Sequence, residues 1–141
     1  MPKLFVGYAR PDRDQVRPIV HALEAVGMEV WWDPELAPGS DFVSEIQRQL
    51  KAADHVLICW SSAGARSTWL SLEADYALAA GKLLMARLDD TAFAAPYAGR
   101  PTVDLSDWTG ELEHDDFTRL LVALGTPQPE TSPRSRKPAL S

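Results

Sequence analysis

The stretch AADHVLICWSS, residues 52–62, decides the fold of this chain. Its centre, residues 55–60, is a continuous apolar run, which is typical of a parallel strand that helices cover on both faces. Apolar residues at helical spacing predict a helix over residues 41–52 before this strand and another over 68–80 after it. We therefore expect a central strand within an alternating strand–helix chain.

The same alternation extends to both ends of the chain. Further strands are predicted over residues 3–8, 29–32, 82–88 and 101–105, and further helices over residues 16–26 and 115–124. Asp12 or Asp14 is predicted to cap the first helix and Ser67 the helix at 68–80, with Gly27 and Gly81 as helix stops. Strict alternation implies right-handed crossovers. The prediction is an α/β three-layer sandwich with a five-stranded parallel sheet and helices on both faces.

Ligands of such sheets bind beyond the carboxyl ends of the strands, where the strand order reverses. The segments predicted at that edge are residues 9–13, 33–40, 61–67 and 89–99. Any functional residue is therefore expected in these segments or in the first turn of the helices that follow them.

Composition limits the classes of function. A chain of 141 residues fits one domain, which we place at residues 1–125. Residues 126–141, TPQPETSPRSRKPALS, are predicted to be a disordered tail or linker. A net charge of −6 argues against nucleic acid as a direct partner, and no apolar stretch is long enough to span a membrane. One cysteine excludes an internal disulfide and fits a cytoplasmic protein.

Common catalytic and metal-binding patterns are missing. The sequence holds no GxGxxG, GxxxxGK[ST] or GxSxG motif. His21, His55 and His114 are scattered without ligand spacing, so no metal site is predicted. Cys59 lies inside the most apolar strand, where it is expected to act as a small hydrophobic residue.

One carboxylate, Glu73, lies within the apolar pattern of the predicted helix 68–80. We place it in the middle of an apolar face formed by Trp69, Leu72, Tyr76, Ala77 and Ala80. Asp75 is expected to point to solvent. A glutamate on such a face is costly unless it is paired or faces a cavity. Two interpretations stay open, an ion pair with Arg66 or Arg10 and a functional carboxylate beside a ligand.

Five motifs, in order along the chain, resemble the TIR domain of the bacterial type. They are FVGYARPD (5–12), WWDPELAPG (31–39), the run 53–62, WLSLE (69–73) and VDLSDW (103–108). The resemblance covers about residues 3–124 and implies a flavodoxin-like sheet. Gly7 and Ala9 depart from it, because the first motif of the family usually has serines there. The departure removes two hydroxyl groups near the expected substrate.

The resemblance also implies an activity, the cleavage of the bond between nicotinamide and ribose in NAD+. NAD+ is then the substrate, no cofactor is needed, and the product is ADP-ribose or a cyclised isomer. The resemblance makes Glu73 catalytic and lets Trp69 line the site. Arg10 is a candidate for the pyrophosphate by charge and location. The other predicted substrate-binding residues are Tyr8, Ala9, Phe5, Asp33 and Ser61, with a core position equally open for Phe5.

Self-assembly is expected through residues 33–40, which resemble the BB loop of the family. The residues predicted to carry it are Glu35, Leu36, Pro38 and Gly39. The dilute monomer should then have low activity and the assembly more, as in bacterial anti-phage defence, with a sensor domain or partner protein supplying the trigger.

Two other classes of function remain open. One is a non-enzymatic TIR adaptor that acts through contacts with other TIR domains. The other is a response-regulator-like domain, which needs acidic residues where the first and third strands end. The sequence has Gly7-Tyr8 and Cys59-Trp60 there.

Overall fold

The computed structural model describes residues 3–32, 42–93, 97, 102–111 and 113–125. Strands and helices alternate along them. The elements are β1 (Lys3–Gly7), a 3-10 turn (Arg10–Asp12), α1 (Arg13–Ala25), β2 (Glu29–Trp32), α2 (Phe42–Ala52), β3 (His55–Trp60), α3 (Ser62–Ala65), α4 (Thr68–Ala79), β4 (Leu83–Arg87), β5 (Thr102–Asp104) and α5 (Asp115–Leu124).

The strands form one parallel sheet. In the described part of the chain its five strands have the order β2-β1-β3-β4-β5, as in a flavodoxin-like fold. This confirms the predicted five-stranded parallel sheet with β3 at its centre. Strand β1 has β2 on one side and β3 on the other, so the strand order reverses there. The crevice of such a sheet lies at the carboxyl ends of β1 and β3.

Helices cover both faces of the sheet, which confirms the predicted three layers. Strand β3 supplies both cores, because its side chains alternate between the faces. Leu57 and Cys59 pack with α1 and α5, whereas Ile58 and Trp60 pack with α2 and α4. Burial, together with the charge of Asp12, raises the pKa of the Cys59 thiol to about 12. That thiol is therefore neutral and acts as a small apolar side chain, as expected.

Element boundaries differ from the sequence prediction at a few points. Strand β1 is one residue shorter than predicted and β4 two residues shorter, and β5 ends one residue before the predicted end. Helix α3 was missed, because its four small residues carry no apolar periodicity and were predicted as a loop. Its N-cap is Ser61, whose hydroxyl accepts a hydrogen bond from the Gly64 amide at 3.0 Å. The predicted tail, 126–141, lies outside the described residues.

The helix caps confirm most of the predicted ends. The Ser67 hydroxyl accepts from the Leu70 amide at 3.1 Å and so caps α4. Gly27 and Gly81 have positive φ angles of 100° and 75°, a conformation that glycine adopts without strain. Asp12 is the N-cap residue of α1, one of the two positions predicted, but its side chain makes no capping bond. Its carboxylate instead accepts the hydroxyl hydrogen of Ser61.

Candidate functional site

An open cavity of about 430 Å³ lies at the carboxyl ends of β1 and β3. Two segments line it, one following each of these strands. They supply Tyr8, Ala9, Arg10 and Pro11 from the first, and Ala63, Arg66, Ser67 and Trp69 from the second. The volume is within the range of small-molecule sites, roughly 300–1,000 Å³. The structure thus brings together Tyr8, Ala9, Arg10 and Trp69 of the residues predicted to bind substrate.

The β1 side of the cavity is held by aromatic and cationic contacts. Tyr8 accepts a hydrogen bond on its hydroxyl from the Arg13 guanidinium. That guanidinium also lies 4.4 Å from the centre of the Trp32 ring, and the rings of Tyr8 and Trp32 are 5.8 Å apart. The contacts that Tyr8 makes with Arg13 and Trp32 restrict its rotamers. The wall that Tyr8 presents to the cavity is therefore preorganised.

The two lining segments are tied together by Ser61. This serine is only 2% exposed, and its hydroxyl donates to Asp12 while accepting from the Gly64 amide. Ser61 is not among the residues that line the cavity. The sequence predicted it as a substrate contact, but the structure uses it to join the segment after β1 to the segment after β3.

The rim of the cavity is electropositive. Arg10 and Arg66 are both exposed and lie one on each lining segment. Helix α4 begins at Thr68, directly after the lining residue Ser67, and a helix N-terminus carries partial positive charge. Two guanidinium groups and a helix N-terminus around one cavity favour an anionic ligand such as a diphosphate.

Helix α4 has a different orientation from the one that the sequence suggested. Its buried residues are Leu70, Glu73, Ala74 and Ala77. Trp69, Leu72 and Tyr76, which were predicted to pack with Glu73 on one apolar face, are 38%, 55% and 39% exposed. The prediction of the face was wrong because α4 is apolar on nearly all sides, so spacing alone does not select one side.

Glu73 is 4% exposed, one helical turn beyond Trp69. Its carboxylate faces the end of β1 at Gly7. The cavity is lined by Trp69 and by Tyr8, the residue after Gly7, but not by Glu73 itself. A position next to a cavity of ligand size is the arrangement that the functional interpretation of this glutamate requires.

The remaining predicted site residues fall in two groups. Phe5 is fully buried and stacks on Trp31 at 5.2 Å between ring centres, which is the core position that the sequence left open. It does not line the cavity. The second group is Asp33, Glu35, Leu36, Pro38 and Gly39. All five lie outside the described residues.

Several residues of the cavity were not predicted as ligand contacts. Pro11, Ala63, Arg66 and Ser67 line it, and Arg13 supports Tyr8. A signal for them existed, because both of their segments were placed at the ligand-binding edge of the sheet.

Two kinds of feature are missing from the described ranges. No group of three or more His, Cys, Asp or Glu side chains could hold a metal ion among these residues. None of the helices found in them has the length and apolar character needed to cross a membrane.

Solved structures with the same fold come from distant proteins. The TIR domain of the Toll-related receptor TRR-2 from Hydra magnipapillata is 14% identical, with a TM-score of 0.74 over 86% of this chain and 97% of that one. A 2-deoxyribosyltransferase from Bacillus psychrosaccharolyticus is 17% identical, with a TM-score of 0.63 over 84% and 95%. The TIR domains of the activated Roq1 resistosome, which recognises the effector XopQ, are 19% identical, with a TM-score of 0.54 over 63% and 60%. These likenesses concern the fold.

Fold and cavity together define an open-sheet α/β domain with a ligand-type cleft at its switch point. Residues 4–121 match the family described as the TIR domain. The match covers most of the chain, which therefore belongs to the TIR domain family. A comparison with curated proteins gives no match.

Proposed function

We propose that this TIR domain is an NAD+ glycohydrolase of the bacterial type. It would cleave the bond between nicotinamide and ribose and release ADP-ribose or a cyclic isomer. The observation that carries the proposal is the cleft itself, where Arg10, Arg66 and Trp69 line one cavity and the buried Glu73 lies one helical turn further along α4 than Trp69. A dinucleotide carries groups that match this cleft, a diphosphate for the arginines and the nicotinamide ribose for the indole to pack against.

The chemistry needs one carboxylate. Ordinary glycoside hydrolysis requires an acid for the leaving oxygen and a second carboxylate as base or nucleophile. Nicotinamide in NAD+ is already cationic, so it leaves as a neutral molecule when it takes the electron pair of the broken bond. The positive charge passes to the ribose, and a nearby anion stabilises it. Water then adds to the ribose carbon and releases one proton, or the adenine of the same molecule closes the ring.

Each residue has a separate role in this proposal. Glu73 stabilises the cationic ribose and accepts hydrogen bonds from its hydroxyls. Trp69 packs against the nicotinamide ribose, and the two arginines hold the diphosphate. Tyr8, fixed by Arg13, closes the opposite wall. No step calls for a metal or an added cofactor, so nicotinamide release is expected to continue in a chelating buffer.

A neighbour in fold supports the reaction class by analogy. The Bacillus psychrosaccharolyticus protein of the same fold transfers a 2-deoxyribosyl group in nucleoside synthesis. That reaction also exchanges the substituent on a ribose-type carbon. The fold is thus compatible with such chemistry, while the residues that perform it here are argued from this chain alone.

The decisive experiment follows nicotinamide. Concentrated protein is incubated with NAD+, a crowding agent and a chelator, and the products are separated by chromatography. We expect Glu73→Gln to lower the rate by about a hundredfold or more, because the ribose cation loses its counter-charge. Asp75→Asn is the matched control, since Asp75 is an exposed carboxylate on the same helix and does not line the cavity. Equal rates for wild type and Glu73→Gln would contradict the proposal.

A second candidate function is a non-enzymatic scaffold, which one observation favours. Trp69, Leu72 and Tyr76 form an exposed apolar stripe on α4 at spacings of three and four residues. Exposed apolar patches commonly mark contacts with other proteins. Homotypic assembly through this stripe or through residues 33–40 is compatible with either function.

Sedimentation combined with an assay of nicotinamide release separates the two candidates. Leu72→Arg is expected to weaken self-association without changing the unfolding midpoint, because Leu72 is 55% exposed. For an assembly-activated enzyme, nicotinamide release per molecule rises with protein concentration in wild type and stays low in Leu72→Arg. For a scaffold, self-association changes while no nicotinamide is released at any concentration.

The biological setting belongs to the proposal as well. A bacterial-type enzyme that destroys NAD+ on assembly suits an anti-phage response in the cytoplasm, where the dinucleotide is abundant. Infecting cells that express wild type or Glu73→Gln tests this. NAD+ should fall after infection in the first and not in the second.

A further inference from the structure

The end of β1 has no side chain where the carboxylate of Glu73 lies. Gly7 is buried, is the last residue of β1 and pairs with Ile58 of β3. A Cβ atom at Gly7 would lie 2.6 Å from Oε1 of Glu73, 2.8 Å from Cδ1 of Ile58 and 3.1 Å from Cδ1 of Leu70. Two of these distances are shorter than any ordinary carbon contact. The space of a missing methyl group is therefore filled by a carboxylate and two side-chain methyl groups.

Glu73 as a whole has little freedom to shift away from Gly7. Its backbone is fixed by α4, whose residues on either side of Glu73 along the buried face, Leu70 and Ala77, are 1% and 0% exposed. Only the end of the glutamate side chain can move. Glycine is the residue that allows a close approach to the backbone.

We propose that Gly7 is a positioning residue, whose missing side chain leaves the space that the Glu73 carboxylate occupies at the end of β1. The inference rests on the proposed function, in which this carboxylate acts on the ribose. Relative to the serine that the family usually has at this position, Gly7 lacks a hydroxyl group. In the structure it is a gain of space, because a serine would bring the same Cβ atom against Oε1.

The kinetic test adds a single methyl group at Gly7, which should displace the Glu73 carboxylate. Gly7→Ala is expected to lower the kcat of nicotinamide release about tenfold or more while KM stays nearly unchanged, since a catalytic group misplaced by about 1 Å can cost a hundredfold. In the Gly7→Ala background, Glu73→Asp should recover part of kcat, because the shorter side chain withdraws its oxygens from the new methyl group. Ile58→Val in that background removes the second close contact but should not restore kcat.

A matched glycine separates positioning from general packing. A Cβ atom at Gly64 would lie 3.0 Å from Cδ2 of Leu70 and would meet no carboxylate. Gly64→Ala should change stability without lowering kcat. The proposal is wrong if Gly7→Ala leaves kcat unchanged or raises it, or if Ile58→Val restores kcat and Glu73→Asp does not.

A second measurement is independent of activity. The urea midpoint of unfolding is compared for wild type, Gly7→Ala, Glu73→Ala and the double variant. Gly7→Ala should lower the midpoint at least twice as much when Glu73 is present as it does in the Glu73→Ala background. Equal shifts of the urea midpoint in both backgrounds, or failure to fold in both, would mean that Ile58 and Leu70 cause the crowding. The proposal that Gly7 positions the Glu73 carboxylate would then be wrong. If wild type releases no nicotinamide, the proposed function is wrong. The unfolding measurements still show whether the missing side chain of Gly7 makes room for the Glu73 carboxylate.

Discussion

The two faces of α4 reverse the usual pattern of a surface helix. Its large apolar side chains, Trp69, Leu72 and Tyr76, are 38–55% exposed, whereas Glu73 is buried with Leu70, Ala74 and Ala77. An exposed apolar face loses hydrophobic stabilisation, and a buried carboxylate costs desolvation energy. The exposed apolar side chains add nothing to the core, so the difference indicates that this face of α4 serves a purpose other than stability. The buried face holds the carboxylate near the cleft, and the exposed face is free to contact a ligand or another molecule.

The largest effect should separate two leucines of α4. Leu70→Ala removes a side chain that is 1% exposed and should lower the free energy of unfolding by about 2–5 kcal/mol. Leu72→Ala removes one that is 55% exposed and should change it by about 0.5 kcal/mol or less. Urea unfolding of both variants measures the difference. Similar losses would mean that the assigned faces of α4 are wrong.

A smaller effect should distinguish two aromatic residues of the exposed face. Trp69 lines the cavity and Tyr76, two helical turns further, does not. Trp69→Ala should raise the KM for NAD+ about three- to tenfold, because one aromatic contact is worth about 0.5–1.5 kcal/mol. Tyr76→Ala should leave KM unchanged. Steady-state nicotinamide release measures both, and an equal rise in the two variants would remove Trp69 from the substrate site.

The sequence was sufficient for the sheet but not for the orientation of α4. Buried parallel strands such as β3 are apolar throughout, and the glycine stops and the Ser67 cap have local physical causes that are visible in single residues. The face of α4 depends on which side meets β1 and β3. Leucine and tryptophan carry no information about that choice when they occur all round a helix.

Residues of the candidate site were predictable where the charge or the ring of a single side chain indicates a ligand contact. The cationic Arg10 and the indole of Trp69 lie in the cavity that the strand order predicts. The place of Ser61 could not be predicted in this way, because its hydroxyl joins two segments that are distant in sequence. The space that Gly7 leaves for the Glu73 carboxylate could not be read from the chain either, because it depends on a distance between β1 and α4 rather than on a property of glycine alone.

The smallest effect concerns Asp89, which supports the start of α3 beside the cavity. Asp89, which follows β4, accepts hydrogen bonds from the Ser62 amide at 3.0 Å and the Thr91 amide at 2.9 Å, and so holds the start of α3. Burial raises the pKa of this carboxyl, but the hydrogen bonds and the charge of Arg87 outweigh it, so the pKa lies below its ordinary value. The stabilisation by Asp89 is therefore complete above the unfolded pKa of about 4 and is lost as the pH falls through the folded value.

Asp89→Asn should accordingly lower the free energy of unfolding at pH 7 by about 1 kcal/mol, as expected for a partly exposed charged hydrogen bond. The difference from wild type should narrow as the pH is lowered below about 4, since wild type then loses the same charge. Asp90→Asn, at the exposed neighbouring position, is the matched control and should show no such narrowing. A constant difference across the acid range would mean that Asp89 acts through its shape rather than its charge. Asp89 would then stabilise the fold by packing, as the buried leucine of α4 does, and not by its charge.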